Sequence, residues 1–162
     1  MPDHAASIVV LGIDFGARRI GLATGNTLTG TARALNTIHH DGSPAQQIDA
    51  IIDSWKPGCI VVGLPLAADG AETESSRAVR RFAEEIQARH PELVIDFQDE
   101  RYSSRIADAQ FVQARRNGQA RRRDARNLDS VAAAIIVESW LEAHRTADPS
   151  ALPSADPSGL AS

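Results

Sequence analysis

Along the first hundred positions, short continuous apolar runs alternate with longer stretches in which apolar residues recur every third or fourth position. Ser7 to Phe15 is a run rich in Ile and Val, closed by Gly16, and reads as a buried strand. Arg19 to Gly25 is a second strand after a short turn, and Ala32 to Ile38 a third, so the chain opens with a predicted antiparallel meander. The segment His39 to Ser43 breaks the pattern. Ser43 is then the expected N-cap of a helix with Pro44 in its first position, and Ile48, Ile51, Ile52 and Trp55 follow at helical spacing before Pro57. Cys59 to Val62 is a short apolar strand, and the GLPLAADGAETESS stretch after it reads as a long functional or connecting loop. Thr73 starts a second helix in which Val79, Phe82, Ala83 and Ile86 recur at three and four. Leu93 to Phe97 is the next strand, Ser103 or Ser104 caps a helix running to about Arg116, and Leu128 to His144 is the last helix. The order predicts an α/β fold with a mixed five-stranded sheet, the three-strand meander continued by parallel strands and flanked by helices.

Composition narrows the class. At 162 residues and 43% hydrophobic, the chain has the size of one domain with a proper core. Residues 7–144 are expected to form it, with residues 1–6 disordered and residues 145–162, rich in Ala, Pro and Ser, a disordered tail. The single cysteine, Cys59, reads as a small core residue. No apolar stretch approaches the ~18 residues that span a bilayer, and the first residues lack the pattern of a secretory signal, which predicts a cytoplasmic protein with no membrane partner.

The formal charge of -4 conceals a local basic excess. Arg115, Arg116, Arg121, Arg122, Arg123 and Arg126 cluster against one acid, Asp124, just before Asp129. A solvated loop in an arginine-preferring chain accounts for Arg over Lys, since Lys56 is the lone lysine, but not for the clustering; phosphate binding does. Arg18, Arg19 and Arg101 join these six as candidate nucleic-acid contacts.

Three acids stand at places where a parallel sheet could bring them together: Asp14 in GIDFGARRIG, Glu100 in QDERYSS and Asp129 in NLDSVAAAII. Asp14 lies near the end of a strand, where Gly16 and Gly21 permit close approach, although a turn acid capping a backbone amide fits equally well. Glu100 follows a strand, and ligands of α/β sheets gather beyond strand carboxyl ends. Neighbouring side chains of a strand point to opposite faces, so one of Asp99 and Glu100 faces a shared pocket; Glu100 is the choice, against the alternative of an Arg101 ion pair. Asp129 is expected in the first turn of its helix, where the macrodipole alone favours an acid. Three carboxylates suit a hard divalent cation, Mg²⁺ or Mn²⁺, and metal-assisted hydrolysis of a phosphodiester. The histidines compete weakly for a metal: His39 and His40 read as a loop pair, and His90 precedes a proline.

The ordered blocks GIDFGARRIGLATG, VVGLPLAADG, QDERYSS and LDSVAAAII resemble the YqgF family, also called RuvX-like, of Holliday-junction resolvases and pre-16S rRNA nucleases, over about residues 7 to 144. The resemblance implies an RNase H-like fold, a cytoplasmic location, maturation of the 5′ end of 16S rRNA, and a divalent metal at Asp14, Glu100 and Asp129, which would be both catalytic residues and metal ligands. It also implies a flexible GLP loop, Gly63 to Gly70, near the site. Precursor rRNA is the expected partner, with structured DNA and ribosomal particles as further ones. The alternatives are a resolvase of DNA junctions and a catalytically weak nucleic-acid-binding factor in ribosome assembly or transcription.

Overall fold

The computed structural model describes residues 8–100 and 122–145, the side chains of 122–129 and 145 excepted. Nine elements follow in order: β1 (Val9–Phe15), β2 (Arg19–Asn26), β3 (Thr31–Ala34), β4 (Ile38–His39), α1 (Ala45–Trp55), β5 (Cys59–Leu64), α2 (Glu74–Arg89), β6 (Val94–Asp99) and α3 (Arg122–Arg145). The sheet order is β3-β2-β1-β5-β6, with β4 also paired to β2, which makes six strands rather than the expected five. β1, β2 and β3 form the antiparallel meander, while β1, β5 and β6 run parallel. The expected helix between Ser103 and Arg116, and the expected disordered ends, lie outside the described residues.

The sixth strand comes from a break in the expected third one. Ala34 pairs with Ala23 and Ile38 with Ile20, so four steps on one strand oppose three on the other. One extra residue is a β-bulge, which reverses the alternation of faces beyond it. Ile38 thereby turns into the core and His39 comes level with Arg19 on the opposite face.

Two apolar layers sandwich the sheet, and residue parity sorts them. Leu11, Ile13, Ile60, Val62, Leu22 and Ile20 face α1 and α2, joining Ile48, Ile52, Val79, Phe82 and Ile86 in one buried cluster. Val10, Ala23, Cys59 and Val61 face α3, meeting Ala133, Ile136, Val137 and Trp140 in the other. Burial pushes the Cys59 thiol up to about 12, so the cysteine is an inert packing residue.

Glycines let α3 lie against its face of the sheet. A Cβ on Gly12 would stand 2.1 Å from Val137 Cγ2 and 3.0 Å from the Ala133 carbonyl oxygen, and one on Gly25 would stand 2.4 Å from Val137 Cγ1. Polar bonds fix the helix along its length. The Trp140 indole N–H donates to Asp96 at 2.8 Å, and the Ser130 and Thr37 hydroxyls meet at 2.9 Å.

Helix ends follow the chemistry in one case and depart from it in another. Thr73 caps α2, accepting from the Ser76 amide at 2.9 Å while the Ser76 hydroxyl accepts from the Thr73 amide at 2.7 Å. At α1, Pro44 rather than Ser43 holds the N-cap position and no side chain caps the helix. Pro44 and Ala45 are buried while Ser43 is exposed, so packing of the chain entry sets the boundary here.

Adding one methyl under α3 tests this packing. Gly12→Ala should destabilise the fold by about 1–3 kcal/mol in urea denaturation. Pairing it with Val137→Ala, which removes the clashing methyls, should cost less than the sum of the two single changes.

Candidate active site

The parallel strands β1, β5 and β6 end at one edge, and alternation decides which side chains meet there. On β1, Asp14 follows Val10 and Gly12 on the α3 face; on β6, Glu100 follows Val94, Asp96 and Gln98 on the same face. Asp99 belongs to the other face, beside Phe97 in the α1–α2 layer. Asp14 pairs with Gly21 on β2, and one step beyond the Ile13–Val62 pair places Gly63 on its other side. Asp14 therefore stands between two glycines.

Gly63 makes room for Glu100. A Cβ there would lie 2.7 Å from Glu100 Oε2, so the carboxylate occupies the space that a side chain on β5 would fill. The Glu100 amide donates to the Leu64 carbonyl at 3.1 Å, extending the β5–β6 ladder by one bond and fixing the backbone. Half-buried in this position, Glu100 is raised to about 7, first by loss of water and then by the charges of Asp14 and Asp99. A carboxyl raised in this way marks a candidate functional site, since a nearby cation would favour its ionised form.

The third acid is described only as backbone. α3 begins at Arg122, so Asp129 lies two turns inside the helix and not in its first turn, as the sequence suggested. The macrodipole argument therefore does not account for it. Position 129 shares a helix row with Ala133 and Val137, the residues seated over Gly12. One turn from 133 to 129 rises about 6 Å, close to the two-residue step of about 7 Å from Gly12 to Asp14. The helix backbone at 129 thus reaches the level of Asp14, held by the neighbouring Ser130–Thr37 bond. Among the described residues, no three His, Cys, Asp or Glu side chains group as a metal site; two of the three candidate acids have described side chains.

Of the candidate basic residues, Arg18 is exposed in the β1–β2 turn and Arg19 opens β2 beside it. Arg101, Arg115, Arg116 and Arg121 lie outside the described residues. Arg122, Arg123 and Arg126 are described as α3 backbone, their side chains outside the described set.

The loop after β5 is tied by hydrogen bonds within itself and to the start of α2. The Ala67 amide donates to the Ala71 carbonyl at 3.0 Å, the Gly70 amide to the Ala67 carbonyl at 2.8 Å, and the Thr73 hydroxyl to the Pro65 carbonyl at 2.9 Å. Arg80 then binds Glu72 in bidentate fashion, at 3.0 and 2.9 Å, with its guanidinium 5.3 Å from the centre of the Phe97 ring.

Sequence reasoning passed over Thr37 and Ser130, read His39 only as a loop histidine, and placed Gly63 only in a loop near the site. Period-two counting from Val61 would have found Gly63 on the face of the acids. Thr37 and His39 depend on the bulge, which no single strand reveals.

Carboxylates near the carboxyl ends of β1 and β6, on a mixed sheet entered by an antiparallel meander, go with an α/β protein of RNase H-like fold. The chain belongs to the RuvX family, described as Holliday junction resolvase, which it matches over residues 8–143. It is 40% identical over 148 residues to a "Putative pre-16S rRNA nuclease" of Xanthomonas campestris pv. campestris (strain 8004), covering 88% of this chain and 95% of the relative. A protein of the same description from Xanthomonas axonopodis pv. citri (strain 306) is 41% identical over 136 residues, 83% of this chain and 87% of the relative. Among solved structures, T. thermophilus RuvC in complex with Holliday junction substrate superposes with a TM-score of 0.52 at 16% identity, over 85% of this chain and 96% of that one. The Fowlpox virus resolvase in complex with Holliday junction DNA gives 0.52 at 10% identity, over 84% and 98%. These likenesses establish the fold. The family is one of nucleases, whose reaction is hydrolytic cleavage of phosphodiester bonds.

The raised Glu100 predicts an unusual pH dependence of stability without metal. Between its unfolded value, 4.5, and about 7, the folded state holds a proton that the unfolded state has lost, so stability falls as pH rises through this window. Glu100→Gln should remove that slope. In chelator, the variant should be more stable than wild type by about 1–3 kcal/mol at pH 8, a gap that nearly closes at pH 5, as read by urea denaturation. A pH-independent difference would refute the assignment.

Proposed function

We propose that the protein is a metal-dependent nuclease that trims precursor 16S rRNA at its 5′ end in the cytoplasm, with Asp14, Glu100 and Asp129 as its catalytic residues. The observation that carries this reading is the pairing of Asp14 and Glu100 on one face of the sheet edge, with Glu100 raised by its surroundings. Oxygen donors of this kind fit Mg²⁺ or Mn²⁺, and the three acids would hold it. When bound, such an ion supplies an activated water and stabilises the leaving oxygen.

The chain's own residues do the remainder. Gly63 keeps the Glu100 carboxylate in the site, and the buried face of α3 excludes water from behind it. Arg18, Arg19, Arg101 and the cluster Arg115, Arg116, Arg121, Arg122, Arg123 and Arg126 hold the phosphates of the substrate, on free precursor or on ribosomal particles. The identity to relatives described as pre-16S rRNA nucleases supports RNA as substrate. The family description supports a second reading, cleavage of DNA four-way junctions.

A cleavage panel of precursor rRNA, single-stranded RNA and a four-way DNA junction separates the two readings. Cleavage of the precursor is expected with Mg²⁺ or Mn²⁺ and not in chelator. Asp14→Asn, Glu100→Gln and Asp129→Asn should each lower the rate at least about a hundredfold with the fold retained. Full activity in these variants would reject the proposed site, and symmetric cutting of the junction alone would favour the second reading.

A further inference from the structure

The face that carries the two acids continues across the sheet edge into a basic half. In strand order, Glu100 follows β6, Gly63 is the second-last residue of β5, Asp14 the second-last of β1, Arg19 opens β2 and His39 ends β4. Asp14 is level with Gly21, two residues from Arg19 on the same face of β2, and Arg19 pairs with His39. Beside them is a cavity of about 520 Å³, lined by Gly16, Ala17, Arg18, Arg19 and His39, with two arginines, a histidine and no acid. One and two strand spacings put its two ladder positions about 5 and 10 Å from the line of β1. That range brackets the separation of neighbouring phosphates along a strand.

The turn that shapes this cavity is held firmly. The Gly42 amide donates to His40 Nδ1 at 3.0 Å, so the ring carries its proton on Nε2 and donates it to the Gly16 carbonyl at 2.8 Å. The His40 ring also lies against Phe15, with centroids 5.6 Å apart, and the His40 amide donates to the Arg18 carbonyl at 3.0 Å. A Cβ on Gly16 would stand 2.6 Å from the Arg19 carbonyl oxygen, which shows how tightly the turn closes. Gln47 of α1 holds the far end, donating to the His39 carbonyl at 3.0 Å. The bulge before β4 completes the arrangement, because regular alternation over the four steps from Ala34 would turn His39 into the core and Ile38 to the substrate face.

We propose that the β1–β2 turn and β4 form a subsite for the phosphate next to the one that is cleaved, with Arg18, Arg19 and His39 as its ligands and His40 as the residue that positions the turn. The inference rests on the nuclease reading and specifies where on the strand the substrate is gripped. A ring N–H of His39 and the guanidinium groups donate to the phosphate oxygens, while the adjoining phosphodiester lies over Asp14 and Glu100.

The test is a binding cycle with the full chain carrying Asp14→Asn, and a single-stranded RNA from the precursor 5′ leader as probe, read by fluorescence anisotropy with the metal present. A neutral methylphosphonate is moved one phosphate at a time along the probe. Neutralising one phosphate, adjacent to the cleavage position, should weaken binding about three- to tenfold, and His39→Ala should weaken it by a similar factor. Combined, the two changes should weaken binding no more than either alone, because they remove the same contact. His40→Ala should lose the same coupling, and His40→Gln, which can still donate to the Gly16 carbonyl, should restore part of it. Effects that multiply at every position, or no effect of His39→Ala, would overturn the subsite. If wild type cleaves none of the RNA and DNA substrates, the nuclease reading fails, while coupling of His39 to a single phosphate still decides whether this pocket holds one; absence of RNA binding overturns the subsite and leaves the nuclease reading to the cleavage panel.

Discussion

The close seating of α3 on a glycine-lined strip of sheet is the constraint on which the rest depends. With Gly12 and Gly25 beneath Val137, and Gly63 beneath Ile136, the helix approaches strands β1, β2 and β5 more closely than side chains there would permit. Contact at that range has little freedom to slide, because each apolar group that fills a glycine notch would have to climb out of it. The helix row through Val137, Ala133 and position 129 is thereby placed in register with the strand row through Gly12 and Asp14. An active site of the proposed kind, with acids from a helix and two strands, would need such a register, since a displacement of about 1 Å is enough to impair catalysis. The polar bonds from Trp140 to Asp96 and from Ser130 to Thr37 fix the rotation that packing alone leaves less determined.

The electrostatics of the edge follow from the same geometry. Parallel strands that end together deliver acids from β1 and β6 side by side, and the antiparallel return through β2 places basic residues next to them. Glu100 is destabilised as an anion by its burial and its neighbours, so the free protein stores an unfavourable charge arrangement that a cation would relieve. Stability is given up at the place where function requires charge to converge. The opposite layer shows no such conflict: Asp49, held well below the usual carboxylate range at about 2 by its bonds with Arg89 and His90, ties α1 to the end of α2 as an ordinary ion pair.

Much of this was legible from periodicity. The apolar runs of β1, β5 and β6 and the helical spacing in α1 and α2 located the elements, and alternation alone separated Glu100 from Asp99. What escaped was non-local. Pairing of Thr31–Ala34 and Ile38–His39 to the same neighbour depends on the register of β2, so one continuous strand was the natural reading of Ala32 to Ile38. The start of α3 escaped for another reason. Residues before Leu128 are arginine-rich and helix-compatible, yet carry no apolar stripe to announce a helix. Gly63 was visible as a residue, but its purpose is defined by a carboxylate that arrives from a different strand.

The bulge between β3 and β4 carries a consequence for how this chain can change over evolutionary time. Segments between short edge strands ordinarily tolerate insertions and deletions. Here the number of residues between Ala34 and Ile38 is tied to the bulge: four steps with one bulge, like three steps without one, turn Ile38 into the core and His39 to the opposite face. Straightening the bulge at the same length would exchange the faces of Ile38 and His39, whereas removing one residue would straighten the strand and keep both faces. Selection should therefore act on the match between the length of Leu35-Asn36-Thr37 and the bulge more strictly than on much of its composition, so that related chains could vary in spelling there, or lose the extra residue together with the bulge, and keep the same faces.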